Sequence, residues 1–155
     1  MDTRKKVLII GASACGAKAA SRIARLKPEY EVVVLDRGNY ISYAACGMPY
    51  YLSGKVRNFD DLLKTTYGRV RDAEYFKDLK GITVHTGVKA VSIDRASRTV
   101  QAEHTVTGET LSYPYDNLVL AAGAAPKDRG IPGAGLRGVY HLTKMEDAAA
   151  IAEAM

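Results

Sequence analysis

The first forty residues contain two short apolar runs separated by one amphipathic segment. The first run predicts a strand over residues 6–10 that is covered on both faces, as parallel strands are. The next segment places Ala17, Ala20 and Ile23 on one side at helical spacing, and Pro28 ends it. The second run predicts another buried strand, so residues 6–36 are expected to form one right-handed strand-helix-strand unit.

Further along the chain, the pattern predicts short helices over residues 58–64 and 69–80, the second closed by Gly81, and then a strand over residues 82–85. Alternating segments separated by turn residues predict an antiparallel three-stranded meander over residues 88–114. Residues 117–121 should return to the central sheet, and Thr143 with Glu146 predicts a capping box that opens a helix over residues 144–155. The expected class is α/β: a Rossmann-like parallel sheet with helices and an inserted meander.

The turn after the first strand, Gly11-x-Ser13-x-x-Gly16, has the spacing of a phosphate-binding loop. Glycine at its first position permits a sharp turn, glycine at its last lets the helix approach the strand, and the helix N-terminus offers free N–H groups to a pyrophosphate. Asp36, at the end of the second strand with Arg37 after it, is placed to accept hydrogen bonds from ribose hydroxyls and disfavours a 2′-phosphate. NAD and FAD both satisfy this pattern. The loop residues expected to bind the nucleotide are Gly11, Ala12, Ser13, Ala14 and Gly16.

Composition narrows the class of protein further. A chain of 155 residues with 47% hydrophobic and 25% charged residues is typical of one soluble globular domain. The net charge of +5 is scattered along the chain, which favours a solvated basic surface over nucleic-acid binding. No apolar run approaches the roughly 20 residues of a membrane helix, and no signal peptide is visible. Two cysteines, Cys15 and Cys46, suit a reducing compartment and make a poor zinc site, so we expect a cytoplasmic protein without a metal.

The segment 40-YISYAACGMPYYLSG-54 carries a thiol among small residues. It resembles the pyridine nucleotide-disulfide oxidoreductases, and among them the single-cysteine branch of coenzyme A disulfide reductases, NADH oxidases and peroxidases, and persulfide reductases. The residue before the cysteine, usually asparagine in that branch, is Ala45 here. The later stretch 115-YDNLVLAAGAAP-126 resembles the second flavin signature of the same family. The positions that match this signature are Ala121, Ala122 and Gly123. Val88 matches the position at which the backbone meets the adenine in the family.

This resemblance implies that residues 1–155 are the N-terminal part of an FAD-binding domain. It further implies that Cys46 is the catalytic residue, that NADH binds in a domain beyond this chain, and that the parent is a homodimer. Because Tyr51 stands five positions after Cys46, the Cys-x4-Cys redox pair is absent. The cysteine would then pair with a substrate sulfur, from a small disulfide, a persulfide or a coenzyme A-linked compound, or cycle through a sulfenic acid. Arg22, Arg25 and Ser42 are the candidates for holding the phosphates of coenzyme A.

Several alternatives remain open from the sequence alone. Cys46 could be a buried structural cysteine, and Cys15 is expected to be a small packing residue. Arg22 and Arg25 could be a solvated helix face. The function could be that of a disulfide or persulfide reductase, an oxidase or peroxidase, a non-catalytic nucleotide-binding module, or a plain NAD-binding domain.

Overall fold

The computed structural model describes residues 4–127 and 129–155, which form seven strands and four α-helices. The helices are α1 (Ala14–Leu26), α2 (Met48–Leu52), α3 (Ala73–Lys80) and α4 (Met145–Ala154), with 3-10 turns at Ala45–Gly47 and Phe59–Leu62. The strands are β1 (Lys6–Ile10), β2 (Glu31–Leu35), β3 (Ile82–His85), β4 (Val88–Asp94), β5 (Thr99–His104), β6 (Thr110–Pro114) and β7 (Asn117–Leu120).

Four parallel strands form the central sheet in the order β3-β2-β1-β7, and β4-β5-β6 form the antiparallel meander. Both sheets confirm the predicted α/β class. In the parallel register Ile10 lies opposite Leu35 on one side and Leu120 on the other. The carboxyl ends of β1, β2 and β7 therefore meet at one edge of the sheet, which is where ligands bind in open α/β sheets.

The central sheet is covered on both faces, as its continuous apolar strands require. On one face, Val7 and Ile9 pack with Ala17 and Ala20 of α1 and with Phe76 of α3. On the other face, Leu8 and Leu35 pack against three apolar residues of the meander, which are Val88, Val100 and Ala102. Successive side chains of β1 thus point to opposite faces of the sheet, one covered by helices and the other by the meander. No helix in the described part of the chain is long and apolar enough to cross a membrane.

Gly11, in the turn between β1 and α1, and Gly16, in the first turn of α1, have the roles predicted for them. Gly11 has a φ of +106°, and a methyl group on its Cα would overlap the carbonyl oxygen of Ala121. A methyl group on Gly16 would overlap the carbonyl of Gly11. The first strand, the helix and β7 can approach this closely only because both positions lack a Cβ.

The segments predicted as helices over residues 58–64 and 69–80 differ from the prediction in part. The segment predicted as a helix over residues 58–64 is a 3-10 turn over Phe59–Leu62. The next helix begins at Ala73 rather than residue 69, because the Asp72 carboxylate accepts a hydrogen bond from the N–H of Tyr75 at 2.8 Å and caps it there. Its predicted end is confirmed, since Gly81 caps it with a φ of +63°.

The capping box at the start of α4 uses a different acid from the predicted one. Asp147, not Glu146, accepts hydrogen bonds from the N–H of Lys144 at 3.1 Å and from both the N–H and the hydroxyl of Thr143 at 2.9 and 2.6 Å. The prediction was wrong by one residue because the N-cap is Lys144, which makes Asp147 the third residue of the helix.

Candidate functional site

A cavity of about 630 Å³ lies at the edge where the carboxyl ends of β1, β2 and β7 meet. Its wall contains seven of the residues that were predicted to bind a nucleotide. The first and last of them are more than a hundred positions apart in sequence. They are Gly11, Ser13, Asp36, Arg37, Ala121, Ala122 and Gly123. Three other predicted residues do not line the cavity: Ala12, in the same turn as Gly11 and Ser13, and Ala14 and Gly16, in the first turn of α1.

Asp36 connects the end of β2 to the turn that precedes α1. One carboxylate oxygen accepts a hydrogen bond from the N–H of Ala12 at 2.6 Å, and the other accepts from the N–H of Gly38 at 2.8 Å. Because an ionised carboxylate has about four acceptor positions, it can also accept from a ribose hydroxyl. The acid therefore holds the turn in place and faces the cavity at the same time.

Val88 lies in a smaller adjoining cavity of about 170 Å³, together with Asp36, Arg37 and Ala122. Its side chain is buried, and its N–H donates to the carbonyl of Asp36 at 2.9 Å. The N–H of Val88 is thus already used within the protein, while the residue, whose backbone was predicted to meet an adenine, forms part of a pocket wall.

Cys46 is exposed, which makes the alternative of a buried structural cysteine wrong. It lies in the 3-10 turn Ala45–Gly47 immediately before α2, with Gly47 as the helix N-cap and Pro49 in the first turn of the helix. Ala45, directly before the cysteine, lines the large cavity, although Cys46 is not part of its wall. Cys15 is also free and exposed, so the prediction that it packs in the interior is wrong.

Tyr43 is a cavity residue that the sequence analysis did not single out. Burial raises the pKa of its phenol, a side-chain hydrogen bond with Ser13 opposes this, and the nearby carboxylates of Asp36, Glu146 and Asp147 raise the pKa further. The phenol therefore stays neutral at physiological pH and can act as a hydrogen-bond donor. Its sequence signal was its place as the aromatic residue of the cysteine segment, three residues before Cys46.

Further cavity residues come from elements that sequence reasoning could not bring to the site. Lys89 of β4 and Lys144 at the start of α4 line the cavity, and Thr105 and Val106 follow β5. With Arg37, the two lysines place three cations around a cavity that also carries the carboxylates of Asp36 and Glu146. Cationic side chains and free helix N–H groups suit a ligand with phosphate groups.

The two arginines predicted to hold phosphates lie elsewhere, in a groove of about 470 Å³ between α1 and α3. Arg22 and Arg25 share this groove with Lys18 and Lys80, so it is strongly basic. The third predicted residue, Ser42, does not line the groove. Its N–H instead donates to the carbonyl of Ala12 at 2.8 Å, and its φ is +50°.

Clusters of side chains that could hold a metal ion do not occur within residues 4–127 and 129–155. The expected absence of a metal site therefore remains a prediction. This part of the molecule thus has an exposed thiol one residue after the cavity residue Ala45, and a cavity wall with a glycine-containing turn, the carboxylate of Asp36 and three cations.

The chain is similar to known proteins over almost its whole length. Residues 5–155 match the family described as pyridine nucleotide-disulphide oxidoreductase. The chain is 37% identical over 154 residues, 99% of its length, to an NAD(P)H coenzyme A polysulfide/persulfide reductase of Pyrococcus horikoshii. It is 31% identical over 146 residues, 94% of its length, to an NADH oxidase of Methanocaldococcus jannaschii.

A solved structure has the same fold. The NAD-dependent persulfide reductase from A. fulgidus superposes with a TM-score of 0.91 at 44% identity, covering 96% of this chain and 27% of that one. The chain spans 32% of the P. horikoshii protein and 31% of the M. jannaschii protein. It therefore corresponds to about a third of the length of these relatives.

Proposed function

Because the chain belongs to the pyridine nucleotide-disulphide oxidoreductase family, we propose that it is the FAD-binding portion of an NADH-dependent disulfide or persulfide reductase. The observation that carries this proposal is the exposed thiol of Cys46, which directly follows Ala45, a residue that lines the large cavity. A thiol in that position can be reached by a substrate and lies near the place where a cofactor would bind.

The residues around the large cavity fit FAD. Gly11 and Gly16 leave no Cβ between the strand, the turn and the helix, so backbone N–H groups at the start of α1 can approach a pyrophosphate. Asp36 would accept hydrogen bonds from the adenosine ribose, with Val88 and Arg37 beside it. The end of β7 would pass under the nucleotide through Ala121, Ala122 and Gly123. Ala12, Ser13 and Ala14 complete the proposed FAD-binding set.

The proposed reaction at sulfur needs Cys46 as a thiolate, because the thiolate is the nucleophile in disulfide exchange. The thiolate attacks one sulfur of the substrate disulfide, forms a mixed disulfide with it and releases the other sulfur as a thiolate. FAD, when bound, supplies the two electrons that reduce the mixed disulfide, and it obtains them as hydride from NADH. The protein's task is to hold the Cys46 turn at the mouth of the cavity.

We assign the substrate to coenzyme A-linked disulfides or persulfides on the basis of the groove between α1 and α3. Arg22 and Arg25 lie together there with Lys18 and Lys80, which suits a ligand with several phosphate groups. The similarity to the P. horikoshii enzyme, whose name includes coenzyme A, supports the same assignment. Ser42, adjacent in sequence to the cavity residue Tyr43, is the proposed third contact.

A second candidate reaction follows from the similarity to the M. jannaschii NADH oxidase. An exposed Cys46 could be oxidised by a peroxide to a sulfenic acid, with water as the product, and then be reduced again. Free thiol as the product would indicate the reductase, whereas water or peroxide as the product would indicate the oxidase.

The relatives' length supports two further proposals about the parent protein: residues 1–155 are a partial FAD-binding domain, and the NADH site lies in a downstream domain. A third proposal, that the parent is a homodimer, rests on the resemblance to the family alone. The two free, exposed cysteines favour a reducing compartment, so we propose a cytoplasmic location.

The experiment that tests the function compares the parent protein with its Cys46→Ser and Cys15→Ser variants. We expect absorbance near ~450 nm from bound flavin in all three proteins. NADH-dependent reduction of coenzyme A disulfide or persulfide should be lost only in Cys46→Ser.

Full turnover by Cys46→Ser would overturn the thiol mechanism. A yellow parent protein that reduces no acceptor with NADH would be a nucleotide-binding module instead. NADH binding without flavin absorbance would identify a plain NAD-binding domain.

A further inference from the structure

Backbone hydrogen bonds connect the end of β2 to the β5–β6 turn (residues 105–109). The N–H of Gly87 donates to the carbonyl of Gly38 at 3.1 Å, and the carbonyl of Gly87 accepts from the N–H of Thr105 at 2.7 Å. The N–H of Gly38 donates in turn to the carboxylate of Asp36 at 2.8 Å. The β5–β6 turn is therefore held close to the acid that would bind the ribose, although the two are far apart in sequence.

Hydrogen bonds within the β5–β6 turn hold it in one conformation. The N–H of Gly108 donates to the carbonyl of His104 at 2.9 Å, and the N–H of His104 donates to the carbonyl of Glu109 at 2.9 Å. The Nδ1 atom of His104 accepts from the N–H of Thr107 at 3.2 Å and from that of Val106 at 3.4 Å. A side chain carried by this turn therefore has a fixed position relative to the cavity.

Val106 lies at the centre of this turn and lines the large cavity, yet its side chain has few neighbours within the protein. The residue is 85% exposed. Surface turns are usually built from polar residues and glycine, as Thr105, Thr107 and Gly108 are here. The turn itself does not require a valine, whereas a fixed apolar side chain on a cavity wall suits the flat face of a ring in a ligand.

The contacts of Asp36 indicate which part of a bound FAD would reach Val106. One carboxylate oxygen accepts from Ala12 in the turn after β1, and the other accepts from Gly38, which leads to the β5–β6 turn. In adenosine the base and the phosphate are attached at opposite ends of the ribose. With the ribose at Asp36 and the pyrophosphate at the turn after β1, the adenine would lie toward Val106.

We propose that Val106 binds the adenine base of FAD by packing its methyl groups against a face of the ring, and that His104 positions the turn that carries it. The inference rests on the proposed function for the identity of the ligand, which is FAD. Packing removes the valine methyls and the face of the base from water, and this stabilises the bound nucleotide. Neither residue belongs to the FAD-binding set above.

The test measures the affinity of the 155-residue chain for FAD and for ADP by titration calorimetry, in the wild type and in Val106→Ser. Serine removes the methyl groups and is a common turn residue. We expect both Kd values to rise by the same factor, because ADP shares the adenosine of FAD and lacks the flavin. The factor should be about fourfold to tenfold, as expected for burying about half of a valine side chain.

Val91→Ser is the matched control for a general loosening of the meander. Val91 is another exposed valine, in β4, and it lines neither the large cavity nor the small one. Its substitution should leave both affinities unchanged.

The role of His104 is tested with a loss of its acceptor and with a conservative replacement. His104→Ala should weaken the binding of FAD and ADP, and adding Val106→Ser to it should weaken binding no further than Val106→Ser alone, because both changes act through the same side chain. His104→Asn should restore most of the affinity, since an asparagine oxygen can accept from the N–H two residues on.

The possible outcomes distinguish this inference from the proposed function. If FAD binds and Val106→Ser keeps full affinity, or if Val91→Ser loses as much, the adenine contact is overturned while the FAD site stands. A loss of affinity for FAD but not for ADP also overturns it, and full affinity in His104→Ala overturns the role of His104. If the chain binds neither ligand, both proposals fail.

A direct measurement decides the result if Val106→Ser does not fold, as judged by circular dichroism. In the complex of the wild-type chain with ADP, we expect a nuclear Overhauser effect between the Val106 methyl groups and a proton of the adenine ring. Its absence in a saturated complex would overturn the contact without any variant.

Discussion

Gly11 lies so close to the carbonyl of Ala121 that a methyl group on its Cα would overlap that oxygen. This contact joins the turn after β1 to the end of β7, two segments of the cavity wall that are 110 residues apart in the chain. The proposed FAD site therefore depends on the absence of one side chain as much as on the presence of others.

Gly11→Ala should both destabilise the chain and abolish FAD binding. Its φ of +106° is strained for alanine by about 1–3 kcal/mol, and the overlap with Ala121 adds to that cost. Thermal unfolding and flavin fluorescence measure the two effects. Gly135→Ala is the matched control, because that glycine has open space around it and no positive φ. Equal behaviour of the two variants would show that the turn tolerates a Cβ.

Asp36→Asn should weaken both the turn and the binding of FAD. The amide retains one oxygen, so it cannot accept from the N–H groups of Ala12 and Gly38 together with a ribose hydroxyl as a carboxylate can. We expect a loss of about 1–3 kcal/mol in the free energy of unfolding, measured by urea titration. The exposed Asp78→Asn on α3 is the control. A variant as stable as this control, with unchanged FAD affinity, would contradict both roles of Asp36.

Asp147 should make the docking of α4 sensitive to acid. Burial alone would raise the pKa of this carboxyl, but hydrogen bonds from Thr143 and Lys144 outweigh burial and lower the pKa below its ordinary value. A lowered pKa in the folded state means that the stabilisation is present above about pH 4 and is lost as the pH falls further. The difference in Tm between the wild type and Asp147→Asn should therefore shrink below about pH 4.

The control for this prediction is Glu146→Gln, which changes the neighbouring acid that is not part of the capping box. At neutral pH it should leave the Tm close to that of the wild type, whereas Asp147→Asn lowers it. If the two variants have the same Tm at neutral pH and the same acid profile, the capping box does not stabilise the helix.

Arg25→Ala should weaken the binding of coenzyme A by up to about fivefold, as expected for one solvent-exposed ion pair. Arg25 lies in the basic groove with Arg22, and screening by salt should reduce the difference between wild type and variant. Titration calorimetry at two salt concentrations measures both effects. Arg95→Ala, an exposed arginine after β4, is the control. If the two variants bind coenzyme A with equal affinity, Arg25 is only part of a solvated helix face.

Ser42→Gly should stabilise the fold while weakening the proposed substrate contact. Glycine adopts a φ of +50° without the cost that a Cβ imposes, so we expect a gain of up to about 1 kcal/mol. Arg98→Gly, at a φ of +51° in the turn after β4, should gain a similar amount without affecting coenzyme A. Unfolding experiments measure the change in stability, and titration with coenzyme A measures the change in affinity. Unchanged coenzyme A affinity in Ser42→Gly would remove Ser42 from the proposed site.

Local chemistry explains which features could be predicted. The strands, α1, the meander and the roles of Gly11 and Gly16 were predicted because each depends on residues within one element or on neighbouring residues. The starts of α3 and α4 were wrong because capping is decided by one residue: Asp72 caps at position 72, and Lys144 rather than Thr143 is the N-cap. A shift of one position then exchanges Asp147 for Glu146 in the capping box.

The sequence by itself determined the βαβ unit and the glycines and acid of the proposed nucleotide site, since spacing along the chain encodes them, and it contains the cysteine segment by which the chain resembles its family. Tertiary structure alone decided that Tyr43, Lys89 and Lys144 line the same cavity, and that Arg22 and Arg25 lie in a separate groove. The physical reason is that these neighbours come from elements far apart in sequence, whose meeting is fixed by the order β3-β2-β1-β7 and by packing on both faces of the sheet.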